Sequence, residues 1–595
     1  MLSKTIALIL LHLSIGFLVY GSSSTSGELP NVILVMTDDQ GIGDMSCHGN
    51  PWIKPPNLDK FYQKSVRLTN FHVSPLCTPT RAAIVTGQYP IHNGAWATFK
   101  GRASLHHSSP TIAEVFQQNG YTTGMFGKWH LGDNYPARPT DCGFDHAVHH
   151  NSGGVGEISD YWGNSYFNDV YLVNNEPTQF EGYCTDVWFE EANQFILQHQ
   201  KEPFFIYLPT NAPHAPLIVA EKYSQPYEHL EGSQIPSAEY YGMITNIDEN
   251  FGRLDSLLKA TGLAENTILI FCSDNGTQFG FYEKEQLGYN QGYRGNKGDK
   301  LEGGHRVHFF IRWPQAGIQG GRDIDNLLTH VDLFPTLASW CQIKLPDDLP
   351  LDGLDFSGLF SDTSGSLPAR TVFVHHRQDW RPPLNIDQTC LMKEDWRLID
   401  GQALYNVQQD RAQENNLAEQ HPEVVESLLK ENKEFIAEAR QREEYQALPY
   451  AIIGSDQQQL TTFTIQHAVG DDGPLWKPEQ IAWGVKNKNN THAIAIAQPG
   501  KYRISCRRWP EEYPGAITGK PLKHPKREFE YESISPEKVR IELFDQEYEK
   551  TILPAAEEVA FELELPKGKT LLRADFVENG ERYGVYYIYA EMMNK

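Results

Sequence analysis

Three apolar runs constrain this chain most: NVILVMT (31–37), PFFIYLPT (203–210) and TILIFCSD (267–274). Each has the length and composition of a strand buried on both faces. Amphipathic stretches lie between them. TIAEVFQQNG (111–120) reads as a helix closed by Gly120, Phe189 to Leu197 as helical, and Ser237 to Ala260 as a long helix, while YTTGMFG (121–127) adds a strand. This alternation predicts an α/β fold from Asn31 to about Trp340, with a mainly parallel sheet covered by helices. In such sheets functional sites gather at the carboxyl ends of strands. Asp38, Asp39, Asp274 and Asn275 stand at two of those ends, and His214 just beyond a third.

After about residue 345 the pattern changes. TVFVHH (371–376), MKEDWRLI (392–399) and ALYNV (403–407) predict a small antiparallel sheet, and Glu423 to Arg442 a charged surface helix. Beyond 450 the chain alternates strands and turns, as expected of a β-sandwich. The expected organisation is a signal peptide at 1–21, an α/β domain at 22–345, a smaller antiparallel sheet with a helix at 346–449, and a β-rich, sandwich-like domain at 450–595. Lys4 followed by the apolar run Ile6 to Val19 carries the signal expectation, and that run is shorter than the ~20 residues a membrane span needs. Export, whether secreted or periplasmic, with no span left after cleavage, is the expected location.

Two function classes fall away on composition. With 51 Lys plus Arg against 76 Asp plus Glu, the formal charge is −25, which suits neither nucleic acid nor anionic membrane as a general partner. A hydrophobic content of 40% excludes a disordered chain. The eight cysteines show neither zinc spacing nor a dense disulfide framework; Cys142–Cys184 is one conceivable bridge.

The segment LCTPTRAAIVTGQYP (76–90) concentrates chemistry. Cys77 and Pro79 precede an expected helix and Arg81 falls one turn on, so a helix N-terminus and a guanidinium both favour an anion at position 77. CTPTR followed by Thr-Gly resembles the signature of type I sulfatases of the alkaline phosphatase superfamily. TDDQGIGDMSCHGN (37–50), GYTTGMFGKWHLG (120–132), NAPHAP (211–216), CSDNGTQFG (272–280) and YRGNKGDKLEGGHRV (293–307) resemble further family segments, in family order. The resemblance covers about residues 30–345, extends to LYNVQQDRAQENNLA (404–418), and leaves out everything beyond about 450.

That resemblance implies an alkaline-phosphatase-like fold and sulfate monoester hydrolysis. It implies that a formylglycine-generating enzyme converts Cys77 to formylglycine (3-oxoalanine), whose hydrate supplies one hydroxyl to attack sulfur and another to expel sulfate. Asp38, Asp39, Asp274 and Asn275, with modified Cys77, become the implied ligands of one calcium ion, and an all-oxygen set suits a hard cation. Arg81 and Lys128 would hold the hydrated aldehyde. His130 would take the proton that drives sulfate release, and His214 with Lys297 would contact sulfate and protonate the leaving oxygen. The expected substrate is a sulfated carbohydrate or an aryl sulfate. The alternatives are a formylglycine-dependent phosphonate or phosphate ester hydrolase, and an inactive, carbohydrate-binding relative.

For the organic part of a substrate, residues 142–171 read as a long functional loop, with Tyr161, Trp162 and Tyr166 as candidate sugar platforms and His149 and His150 as candidates to reach sulfate. HHRQDWRPP (375–383) offers His376, Arg377 and Trp380 for an acidic sugar. Asn296, His305 and His308 depart from the family pattern, and the expectation is that they reshape the pocket rim. Asn275-Gly-Thr and Asn489-Asn-Thr formally match glycosylation sequons, the first incidentally if Asn275 is a ligand.

Overall fold

The computed structural model describes residues 28–593, apart from 361–365, 383–385, 387, 487–488 and 522–529. The signal expected at 1–21 lies outside the described residues. The central sheet comprises β1 (Asn31–Thr37), β2 (Val66–Leu68), β3 (Thr122–Lys128), β4 (His146–His150), β5 (Val170–Val173), β6 (Glu176–Gln179), β7 (Phe204–Pro209), β8 (Thr267–Ser273), β9 (Phe309–Arg312) and β10 (Asp323–Ile324). Its order is β10-β2-β9-β8-β1-β7-β3-β4-β5-β6. The middle of the sheet, β8-β1-β7-β3-β4, is parallel throughout. Strand β9 runs antiparallel to both neighbours, as do β5 and β6 at the far edge.

Strand β1 shows why its run is apolar without alternation. Val32, Leu34 and Met36 face one core, Ile33 and Val35 the other, and all are buried. The second core includes Phe251 and Leu254 of the helix Ala238–Ala260, whose N-terminus is capped by the Ser237 hydroxyl accepting from the Tyr240 N–H at 3.2 Å.

The strands Val372–His375, Thr389–Lys393, Trp396–Ile399 and Ala403–Asn406 make a four-stranded antiparallel sheet. The run 392–399, expected as one strand, is a hairpin: Glu394 adopts φ 51°, which turns the chain there. Past residue 450 two antiparallel-rich sheets face each other. One contains Thr491–Ile496, Lys538–Leu543 and Gly568–Glu578, the other Leu460–Thr464, Gly500–Arg507, Glu558–Leu565 and Tyr587–Met592. Alternate residues such as Val539, Ile541 and Leu543 fill the space between them. That core also takes in Ile158 and Trp162 from far earlier in the chain.

Three expectations are corrected. The segment 142–171 is not one loop, because His146–His150 pairs with β3 in register and Val170–Val173 pairs with β4. Cys142 and Cys184 are not bridged; all eight cysteines are free thiols. His305 and His308 are buried and away from any rim, His305 Nδ1 lying 2.9 Å from His72 Nδ1 and the His308 ring stacking on Phe271.

Candidate active site

Four acidic or amide residues converge at the carboxyl ends of adjacent strands β1 and β8. Asp38 and Asp39 follow β1; Asp274 and Asn275 follow β8. Asp39 sits at φ 65°, a conformation costly for a residue with a Cβ. It is held there as its N–H donates to Asp274 Oδ1 at 3.1 Å and its Oδ1 accepts from Asn275 Nδ2 at 2.8 Å. All four are buried.

The helix Cys77–Thr86 delivers the next two groups. Cys77 is its first residue rather than its preceding one, no side chain caps that end, and all ten residues are buried. Cys77 Sγ, an Asp39 oxygen and a His214 ring nitrogen lie within 4.8 Å of one another, as do Cys77 Sγ and oxygens of Asp38 and Asp274. One turn on, the Arg81 guanidinium donates to Asp274 Oδ2 at 2.8 and 3.1 Å and to the Lys128 carbonyl at 2.8 Å, tying the helix to the ends of β8 and β3.

Lys128, the last residue of β3, places Nζ 2.7 Å from Asp38 Oδ2. Lys297 reaches Asp39 at 2.8 Å. Its loop is fixed by two backbone bonds, Lys297 N–H to Thr277 O and Gly298 N–H to Pro75 O, each 2.9 Å, which bracket the end of β8 and the approach to Cys77. His214, in the loop after β7, places Nε2 3.7 Å from Asp39 Oδ2 and Nδ1 2.6 Å from the Ala215 carbonyl. The Lys297 and His214 side chains are 13% and 19% exposed, whereas those of Arg81 and Lys128 are sealed, so the accessible side of the cluster carries the former pair.

His130, two residues past β3, adopts φ 56°. Its Nε2 lies 3.3 Å from the Thr98 carbonyl and its Nδ1 has no partner among the described residues. A Cβ built on Gly153 would lie 2.6 Å from the His130 ring, so this loop backbone packs directly on the imidazole.

Burial and charge oppose each other here. Burial is the largest single influence on the Asp38 carboxyl and raises it, but the Lys128, His214 and Arg81 charges together outweigh it and the net shift is downward. Burial and the Asp38 charge push Asp274 up, against Arg81. Burial pushes the Cys77 thiol to about 12, despite Lys128 and Lys297, so the unmodified cysteine is not a nucleophilic thiolate near neutral pH.

The expected substrate residues divide. His150, on β4, is in register with Lys128, and His149 faces a cavity whose wall it shares with His130. His376 Nε2 lies 3.8 Å from a Cβ built on Gly298, beside Lys297, whereas Arg377 is turned to Asp379 at 3.8 Å. Trp380 Nε1 is engaged by Asp471 at 3.3 Å. Tyr166 and Trp162 are 0% and 3% exposed, so neither offers an open ring face for stacking; Tyr161 is half-buried. Asn275 is sealed, which excludes a glycan on it in the folded chain.

Sequence reasoning missed the second layer. Gln466 donates Nε2 to Ser152 Oγ and Glu157 Oε2, each at 2.5 Å, and accepts from the Ser159 N–H at 3.1 Å. It thereby holds the loop that packs on His130. No local pattern announces a contact over some three hundred residues.

A family model described as Sulfatase matches residues 30–343. Arylsulfatase J of Mus musculus is 29% identical over 65% of this chain and 66% of its own length. N-acetylgalactosamine-6-sulfatase of Mus musculus is 30% identical over 62% of this chain and 72% of its own. The chain thus spans about two thirds of the length of these curated relatives. The solved structure of Ps i-CgsB in complex with k-i-k-neocarrahexaose superposes with a TM-score of 0.63 at 23% identity, over 71% of this chain and 95% of that one, a likeness of fold.

Proposed function

The chain belongs to the sulfatase family, and from that premise we propose that it hydrolyses sulfate monoesters of a carbohydrate at the Cys77 centre. The observation carrying this reading is the convergence of Cys77 with Asp38, Asp39, Asp274 and His214, ringed by Arg81, Lys128 and Lys297. Three buried carboxylates alone would repel a sulfate ester, so the site needs the cations it has gathered.

The acidic set fits a hard cation by its donors: all are oxygens, and Asp38 Oδ1 and Asn275 Oδ1 are buried without a hydrogen-bond partner among the described residues. Asp38, Asp39, Asp274 and Asn275, with the modified Cys77 side chain, would hold calcium, which when bound neutralises sulfate oxygens. Converted to formylglycine by a generating enzyme, Cys77 would supply the hydrated aldehyde whose two hydroxyls serve attack and release.

The chain's own residues do the rest. Arg81 and Lys128 fix the nucleophilic side chain against the floor of the site. Lys297 and His214, on the accessible side, contact the sulfate and donate the proton that the leaving sugar oxygen requires. His130 accepts the proton that accompanies sulfate release. His150 and His376 are the nearest of the expected substrate contacts, and Tyr161 remains a candidate ring contact at the rim. Among the described residues no helix is long and apolar enough to cross a membrane.

Two measurements test this. Peptide mass spectrometry of Cys77 from the native source should find the aldehyde in place of the thiol; unmodified cysteine throughout would sink the reading in favour of an inert relative. Turnover of an aryl sulfate should exceed that of the matching aryl phosphonate; the reverse by orders of magnitude would make the enzyme a phosphonate hydrolase.

A further inference from the structure

A cavity of about 560 Å³ lies between the loops following β3 and β4 and the β-sandwich past residue 450. His130 and His149 stand in its wall, whereas Cys77, Lys128, His214 and Lys297 do not. Its size falls within the ~300–1,000 Å³ typical of small-molecule sites.

The wall sets one guanidinium, Arg138, against the carboxyls of Asp133, Glu176 and Asp456. Arg138 is gripped by Asp141 at 2.7 and 2.8 Å and donates to the Gln457 carbonyl at 3.0 Å. Asp133 accepts from the Ser152 N–H at 3.0 Å and lies 3.4 Å from His467 Nε2. Among the described residues of this wall no lysine or arginine is left over for a sulfate group, and an anionic ligand entering here would meet the acidic side chains of Glu176 and Asp456.

What the wall does offer is hydrogen bonding. His149 is 2% exposed, its Nδ1 lies 3.2 Å from the His150 carbonyl, and its Nε2 has no partner among the described residues. A ring that donates through Nδ1 to a carbonyl presents Nε2 as an acceptor, which takes a hydroxyl proton and repels an oxyanion. Burial pushes His149 down to about 4, which keeps that lone pair free at neutral pH. Asn134 and Gln458, joined at 3.0 Å, spend their amide N–H groups on the protein, but each oxygen accepts a single bond and keeps a second lone pair at the cavity.

We propose that this cavity is a second binding site, specific for an uncharged, hydroxyl-rich sugar residue. It rests on the glycan reading above, whose unsulfated units supply such a ligand. The two sites divide the recognition of one polymer: the Cys77 centre takes the sulfated residue, and the cavity takes a neutral one. The β-sandwich then acts in recognition by supplying one wall.

The test uses neoagarohexaose and cellohexaose as neutral probes, titrated calorimetrically into the full-length protein. At least one should bind. His149→Phe keeps an aromatic ring and removes the acceptor, and should weaken binding roughly two- to tenfold, the worth of one neutral hydrogen bond. Ala493→Trp, which fills the cavity, should abolish it. Crystals of the unaltered protein soaked with the binding probe should show it in the cavity, a readout independent of either variant folding. No heat with either hexasaccharide, or density elsewhere, overturns the proposal. Turnover of an aryl sulfate reports separately on the Cys77 centre: binding without turnover would keep the cavity site and sink the sulfatase reading.

Discussion

Lys128 Nζ lies 2.7 Å from Asp38 Oδ2, and neither side chain is exposed at all. Removing one member of a buried pair leaves the other charged and unsolvated, at a cost of about 3–5 kcal/mol. Lys128→Met is therefore expected to lose stability on that scale in urea denaturation, with little turnover remaining. Combined with Asp38→Asn, the loss should be clearly less than the sum of the single losses. Strict additivity would mean that the two groups are not coupled.

The acidic cluster predicts cation-dependent stability. A ligand that binds only the folded chain stabilises it by about 2.7 kcal/mol at a hundredfold excess over its Kd. Calcium should raise the melting temperature of the protein and a chelator lower it, and Asn275→Ala, which removes an orphaned acceptor oxygen, should shrink the calcium shift. Zinc should be the poorer stabiliser at equal concentration, because Asp38, Asp39, Asp274 and Asn275 offer it only oxygen. An equal response to both ions would contradict an oxygen-based site.

Gln466 is expected to govern turnover from outside the catalytic centre. Its bonds to Ser152, Glu157 and Ser159 hold the loop whose Gly153 packs on the His130 ring. Gln466→Ala should lower kcat by about tenfold with little change in KM, since small misplacements of a catalytic group are costly. Gln466→Glu, which sets a like charge against Glu157, should be worse than alanine. If it matched the unaltered enzyme, the loop would not be under Gln466 control.

Asp160 gives a pH signature. Burial lifts its carboxyl to about 8, despite hydrogen bonds from the Gly156 N–H at 2.8 Å and Asn164 at 2.9 Å. Between roughly pH 4, where the unfolded group titrates, and pH 8, the folded chain keeps a proton that the unfolded chain has released. The stabilisation this group gives is thus complete below pH ~4 and is lost as pH rises through 8, by at most about 1.4 kcal/mol per pH unit. Asp160→Asn should flatten the stability profile over that window. An identical slope in both proteins would mean that Asp160 is ionised in the fold.

Much of the candidate site was legible because its residues lie at features that local patterns mark. Asp38, Asp39, Asp274 and Asn275 terminate two apolar runs, and Arg81 follows Cys77 by one helical turn. Trp162 and Tyr166 misled for the opposite reason. An aromatic-rich segment reads alike whether its rings face solvent or a core; here Trp162 enters a core built from residues hundreds of positions later, and Tyr166 enters one beside the central sheet. His149 and His150 could not be separated either, since only the pairing of β4 with β3 assigns one to the Lys128 side. Gln466 carried no signal at all, because its importance lies wholly in its long-range partners.

The placement of Ile158 and Trp162 inside the sandwich core has a consequence for heredity and for engineering alike. A chain cut near residue 450 would keep every residue proposed for catalysis and still expose two apolar side chains in the loop beside His130. The last quarter of the protein is therefore no detachable appendage: a lineage that carries it cannot shed it without first rewriting that loop. Heating should melt the two parts in a single calorimetric transition.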